Sequence, residues 1–245
     1  MSKSIKVLVI VTLVLLLDQV VKIWVKTHMT YGEEFQLLGL DWARVHFVEN
    51  PGMAFGIEFG GGYGKLALSL FRIIAVVFLI YYIRQLIKAE APFGLLVSFA
   101  LILAGAFGNI IDSAFYGLIF SESTYHGAPA ILFPPEGGYA GFLHGRVVDM
   151  FYFPIYEGIL PKWFPIWAGE DVLFFRPVFN LADSAITMGV MSILVFQRSF
   201  FSTKKEDDIP VQAILQTAPS SNGVEYIAPN PEQPTADSSE KESQS

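Results

Sequence analysis

The sequence predicts an all-α polytopic membrane protein of four transmembrane helices with a small β-rich segment outside the cytoplasm. Three observations carry that prediction. Hydrophobic residues make up 53% of the chain and charged residues 16%, a balance too apolar for an ordinary soluble domain. Four stretches, Ile5–Val25, Lys65–Ile87, Phe93–Ile111 and Val178–Phe196, each approach the roughly 20 apolar residues that a helix needs to cross a bilayer. Basic residues flank one set of their ends, Lys3 and Lys6, then Arg84 and Lys88, then Arg198, Lys204 and Lys205. The positive-inside tendency therefore places both termini, and the short connection between the second and third spans, in the cytoplasm.

The first stretch imitates a secretory leader, with Lys3 and Lys6 ahead of the apolar run Val7–Leu17. No small-residue cleavage site follows, and the helical pattern runs on through Asp18, Lys22 and Trp24 to Lys26, so a retained first span is expected. Two outward segments result, about 27–64 and 116–177. The first is rich in turn residues and alternates in Arg44–Val48 and again in Ala54–Phe59, which predicts short strands. The second is loaded with Gly, Pro, Trp and Phe, a composition suited to the boundary between water and lipid. The membrane domain is placed at 1–202, and residues 203–245 are expected to form a disordered acidic tail in the cytoplasm. From Ser199 onward three lysines face eight acids, which accounts for most of the net charge of -7. What remains is not basic enough to bind nucleic acid. With no cysteine, disulfides, thiolate metal sites and cysteine nucleophiles are excluded.

Two aspartates stand out in otherwise apolar surroundings. Asp149 lies in Val147–Phe153, and Asp183 lies in Phe179–Ser184 at the head of the last apolar run. An acid costs about 3 kcal/mol at a bilayer centre and so needs a partner or a task. Two of them in one site can share a proton, one carboxyl holding it while the other activates water for amide hydrolysis. Asn109 and Asp112 share a helical face, as do Asn180 and Asp183, and each amide can donate a hydrogen bond to a carboxylate or a substrate carbonyl. Asp18 and Lys22, four apart, form an expected ion pair within the first helix. The alternative for these polar groups is that they glue helices together.

Asn50–Phe55 reads as a turn on its Pro51 and Gly52, and Gly105 and Gly108 read as close-packing positions. Other chemistries fare worse. The histidines at 28, 46, 126 and 144 lack the spacing of a zinc protease, and Gly60–Gly62 lacks the Lys-Ser or Lys-Thr of a phosphate loop. Lys65 and Ser69 share a face, as in a Ser-Lys hydrolase, but Lys65 sits at a span boundary where lysines snorkel. A proton- or ion-coupled transporter is the rival from another class. It would need polar groups in both halves of the membrane, whereas here they gather outward and the second span holds only Arg72 and Arg84 after Lys65.

Five motifs in order over residues 10–200 resemble the bacterial lipoprotein signal peptidase (signal peptidase II) family: Asp18-Gln19-x-x-Lys22, Asn50-x-Gly52-x-Ala54-Phe55, Gly108-Asn109-x-x-Asp112, Val147-Val148-Asp149, and Phe179-Asn180-x-Ala182-Asp183-Ser184. The resemblance implies a four-span aspartic endopeptidase of the cytoplasmic (inner) membrane whose site lies near the outer leaflet. Its catalytic pair would be Asp149 and Asp183. Asn50, Gly52, Asn109, Asn180 and Ala182 would line the substrate site, Asp18 and Lys22 would support it, and Asp112 would act from behind it. The resemblance further implies that signal peptides are cleaved from diacylglyceryl-modified prolipoproteins before the lipidated cysteine, amid membrane lipid, with no metal, cofactor or obligate protein partner. Two departures stand out. The family usually carries Arg after the Asp of its Gly-Asn-x-x-Asp motif, where this chain has Ser113, and Arg146 is the candidate replacement. The intervals from Asp112 to Asp149 and from Asp149 to Asp183 are also longer than usual.

Overall fold

The computed structural model describes residues 1–51, 62–154, 156–159, 171–174 and 177–197 of the 245-residue chain. The expected strand at Ala54–Phe59, the tail at 203–245 and the basic residues Arg198, Lys204 and Lys205 lie outside the described residues. The helices are α1 (Lys3–His28), α2 (Gly62–Lys88), α3 (Phe93–Ile111) and α4 (Leu181–Phe196). Three helical stretches, Lys3–His28, Gly64–Lys88 and Phe93–Ile119, are long and apolar enough to cross a membrane. The fourth differs from expectation. At 16 residues it is shorter than the predicted span, because Val178–Phe179 pair as a strand and Asn180 caps the helix. Side chains such as Leu13, Val20, Phe71, Ile74, Val77, Met188 and Met191 stay exposed along α1, α2 and α4, as expected of surfaces solvated by lipid.

At the basic end, Ser2 caps α1 by accepting from the Ile5 amide, and the Lys3 ammonium bonds Glu90 and the Ala91 carbonyl in the short α2–α3 connection. Above this end Val7, Val76, Ile83, Leu86, Leu95, Leu96 and Ala100 form one apolar core shared by α1, α2 and α3.

The opposite end carries an antiparallel sheet in the order β1–β2–β3–β6, from β1 (Glu34–Gln36), β2 (Arg44–Asn50), β3 (Val147–Tyr152) and β6 (Val178–Phe179). A separate antiparallel pair joins β4 (Tyr156–Ile159) to β5 (Asp171–Phe174). Strand β3 was not predicted. Its run of apolar residues reflects a central strand covered on both faces rather than a lipid-facing segment. Val148 and Met150 enter a second core with Val25, Phe47, Tyr116 and Phe120, and strand alternation turns Asp149 to the other face. Register then does the positioning. Phe151 pairs with Phe179 and Tyr152 with Val178, so Asn180 and the first turn of α4 emerge beside Asp149.

Helix α3 runs on through one π-helical turn, Asp112–Tyr116, before a last short turn at Gly117–Ile119. Such widened turns recur at functional sites. Glycines let α4 approach α3 at backbone distance. A Cβ on Gly105 would lie 2.2 Å from the Ala182 carbonyl oxygen, and one on Gly189 would lie 2.6 Å from that of Ser98. Gly108 leaves room for the Asp18 carboxylate. Gly105→Ala should therefore force the two helices apart and cost about 1–3 kcal/mol. Thermal unfolding in detergent reads the loss, and a wild-type midpoint would contradict this packing.

Candidate active site

The site is built around the ammonium group of Lys22, which is fully buried. It bonds Asp18 at 2.9 Å one turn earlier on α1, Asp112 at 2.8 Å at the end of α3, and the Asn109 side-chain oxygen at 2.9 Å. Three donors thus meet three acceptors, the condition under which a charge tolerates burial. The two acids have further tasks. Asp18 accepts from the Ala182 amide at 2.9 Å in the first turn of α4, and Asp112 accepts from the Val148 amide of β3 at 3.3 Å. Gln19 donates to both acids, and its oxygen accepts from the Tyr116 hydroxyl at 3.1 Å. One cluster therefore ties α1, the end of α3, β3 and α4 together.

Asn109 and Asn180 extend the cluster to the two aspartates. Asn109 has given its oxygen to Lys22, which fixes the amide so that its nitrogen donates to Asp183 at 2.9 Å. Asn180 donates to Asp149 at 2.7 Å and to the Asn109 oxygen at 3.2 Å. The same Asn180 caps α4, its oxygen accepting from the Asp183 amide while Asp183 accepts from the Asn180 amide, a reciprocal capping box. The result is a continuous path, Asp149–Asn180–Asn109–Asp183. The Asn-x-x-Asp spacing is thus used in a crossed sense, since each asparagine side chain donates to an acid from another segment.

The two carboxyls differ in surroundings. Asp149 is buried and Asp183 is half-buried. Burial, with the neighbouring Asp183 charge adding to it, pushes the Asp149 carboxyl up to about 7, while the Asn180 amide and Lys22 pull it down. Such a carboxyl can hold a proton close to neutral pH while its neighbour faces water.

Other expected site residues fall at varied places. Asp18 and Lys22 pair as expected. Ala182 is fully buried beneath the cluster, with its amide bonded to Asp18. Asn50 ends strand β2 opposite Val147, and Gly52, with the rest of the turn expected from it, lies outside the described residues. Arg146 engages neither Asp149 nor Asp183 among the described residues. Its guanidinium bonds Glu122 at 2.9 Å and Glu49 at 3.4 Å and lies over the Tyr139 ring, since Glu49 is itself a buried acid held by Lys26 and Ser123. Sequence reasoning assigned no role to Gln19 although it quoted the residue within a motif, and it missed the Lys26–Glu49 pair because nothing local links α1 to β2. Among the described residues no three His, Asp or Glu side chains are arranged to hold a metal ion.

Comparisons with known proteins converge. The sequence model of the family described as signal peptidase (SPase) II matches residues 10–200. A lipoprotein signal peptidase of Porphyromonas gingivalis is 54% identical over 187 residues, which cover 76% of this chain and 80% of that protein. One from Amoebophilus asiaticus is 42% identical over 193 residues, covering 78% of this chain and 76% of that protein. A solved structure of a bacterial membrane enzyme superposes with a TM-score of 0.51 at 23% identity, covering 83% of this chain and 94% of that one, a likeness of fold.

Two outcomes follow from the site's electrostatics. Lys22→Met would strand two buried acids and should cost about 3–5 kcal/mol, read as lost thermal stability in detergent; unchanged melting would contradict the cluster. Asp149 stands above its ordinary 3.8, so the stability it contributes is complete below pH 4 and is lost as pH rises through about 7. Asp149→Asn should therefore melt higher than the wild type at pH 8, by up to about 4 kcal/mol, and like it at pH 4. A lower midpoint at pH 8 would contradict the raised value.

Proposed function

The chain belongs to the signal peptidase II family, and on that premise we propose that it is an aspartic endopeptidase that removes signal peptides from diacylglyceryl-modified prolipoproteins. The observation that carries this reading is the asparagine bridge, which holds Asp149 and Asp183 in one hydrogen-bonded path beside a buried cation. Membership of the family makes the chain a peptidase. The catalytic type, the bond cleaved and the roles below are the proposal.

The substrate's signal helix enters from the bilayer and brings its scissile peptide between the two carboxyls, just ahead of the lipidated cysteine. Asp183, the more accessible of the pair, takes a proton from water as the oxygen attacks the peptide carbonyl. Asp149 holds the shared proton and donates a hydrogen bond to the developing oxyanion. That proton then passes to the leaving amine as the tetrahedral carbon collapses and the C–N bond breaks, and Asp183 returns its proton to the pair. Asn109 and Asn180 keep the acids in place throughout, and both asparagines keep their orientation because Lys22 and the helix cap occupy their oxygens.

The membrane arrangement proposed alongside is four spans within residues 1–202, with α4 completing the fourth. The basic end of α1 and the α2–α3 connection face the cytoplasm of the inner membrane, the sheet and the site lie at the outer leaflet, and 203–245 form a cytoplasmic tail dispensable for chemistry.

Asp149→Asn and Asp183→Asn should each lower the cleavage rate of a diacylglyceryl-modified precursor peptide by at least about 100-fold while the protein still inserts and folds. Cleavage retained in both variants rejects the pair, and proton-coupled uptake into vesicles would favour a transporter. Because Asp149 must keep its proton, kcat/KM should fall as pH rises above about 7.

A further inference from the structure

Helix α2 carries one polar stripe, Lys65, Ser69 and Arg72, with a spacing that puts all three on one side. The first two are spoken for: Lys65 bonds the His144 carbonyl at 2.6 Å, and Ser69 bonds that of Leu143 at 3.3 Å. Their engagement with backbone leaves no Ser-Lys pair for hydrolysis and locks α2 against the chain leading into β3. That docking points the third residue at the site. Arg72 donates from Nη1 to the Ser113 hydroxyl at 3.4 Å, and Ser113 in turn donates to the Asn109 carbonyl at 3.0 Å.

Through Ser113 the guanidinium adjoins the stretch that carries Asp112 and holds Asp183 through Asn109, and Asp183, Asp112 and Asp149 are the acids whose charge it feels. None forms an ion pair with it among the described residues: Asp112 is held by Lys22, Asp183 by Asn109, and Asp149 by Asn180. A guanidinium on a spanning helix is costly, and among the described residues this one makes a single long hydrogen bond where five donors are available. Its charge is therefore not spent on closing a structural ion pair. Counting charges explains what it is spent on. Lys22 offsets only one of Asp18 and Asp112, and a pair sharing one proton adds a further negative charge. Without Arg72 the cluster would hold two uncompensated negative charges.

Resting on the proposed aspartic mechanism, we infer that Arg72 is a positioning residue for the reaction: from α2 it supplies the positive charge that keeps the water-activating carboxyl of the Asp149–Asp183 pair deprotonated, with the Ser113 hydroxyl as its seat. The groups facing Asp183 are Asn109 on α3, the Asn180 amide at the cap of α4 and Asp149 on β3, none of which is on α2.

The test is the pH profile of kcat/KM, measured on the full chain in detergent with a quenched fluorogenic diacylglyceryl peptide. Arg72→Gln should lower kcat/KM and move the acid limb upward by about one pH unit, since an opposite charge nearby favours the ionised acid. Arg72→Lys should keep the limb near its wild-type position. Arg72→Gln with Ser113→Arg, which supplies the charge from the position that Arg72 now contacts, should restore it. If Arg72→Gln does not accumulate, the double variant decides: a limb at the wild-type position supports the inference, and a displaced limb overturns it. A merely structural Arg72 would leave the acid limb of a folded Arg72→Gln enzyme unmoved, and that result overturns the inference while cleavage that still requires Asp149 and Asp183 leaves the mechanism standing. Cleavage that survives loss of both aspartates would instead remove the mechanism itself.

Discussion

The buried ammonium of Lys22 is the interaction on which the remaining arrangement depends. It brings together an acid one turn away, an acid from α3 and an amide that reaches Asp183. Because Asp18 then binds the backbone of α4 and Asp112 binds the backbone of β3, the electrostatic centre also fixes the two segments that carry Asp183 and Asp149. Burial makes this stiff. Each group has its partners, and release of any one would strand a charge or a polar atom away from water.

Packing serves that centre. The glycines of α3 admit α4 to backbone contact, which is why Ala182 can lie close enough for its amide to bond Asp18. The sheet performs the complementary task, since pairing of β3 with β6 brings the cap of α4 alongside Asp149. Asn180 joins the two roles: the side chain that starts the helix also holds the acid of the neighbouring strand. Helix formation and site formation are thus the same local event.

Much of this was legible in the chain. The i,i+4 pairing of Asp18 with Lys22 is local and appears as read, and three of the four apolar stretches form helices long enough to cross a membrane. The Asn-x-x-Asp spacing marked residues that the structure joins but not their partners, because the crossed bonds depend on strand register and on the approach of α3 to α4. Strand β3 was hidden for a related reason: a strand covered on both faces loses the alternation that would reveal it. Arg146 was chosen for its nearness in sequence to Asp149, yet it pairs with Glu49 and Glu122, while Arg72 lies 77 positions from Asp149 and reaches Ser113 through the docking of α2.

The central claim is that Asp149 holds a proton beside the Asp183 carboxylate, and following protonated carboxyls by infrared difference spectroscopy tests it most directly. A protonated-carboxyl band that disappears near pH 7, is absent from Asp149→Asn and shifts to lower pH in Asp183→Asn is the predicted result. An Asp149 that ionises near pH 4, indifferent to replacement of Asp183, would contradict the account.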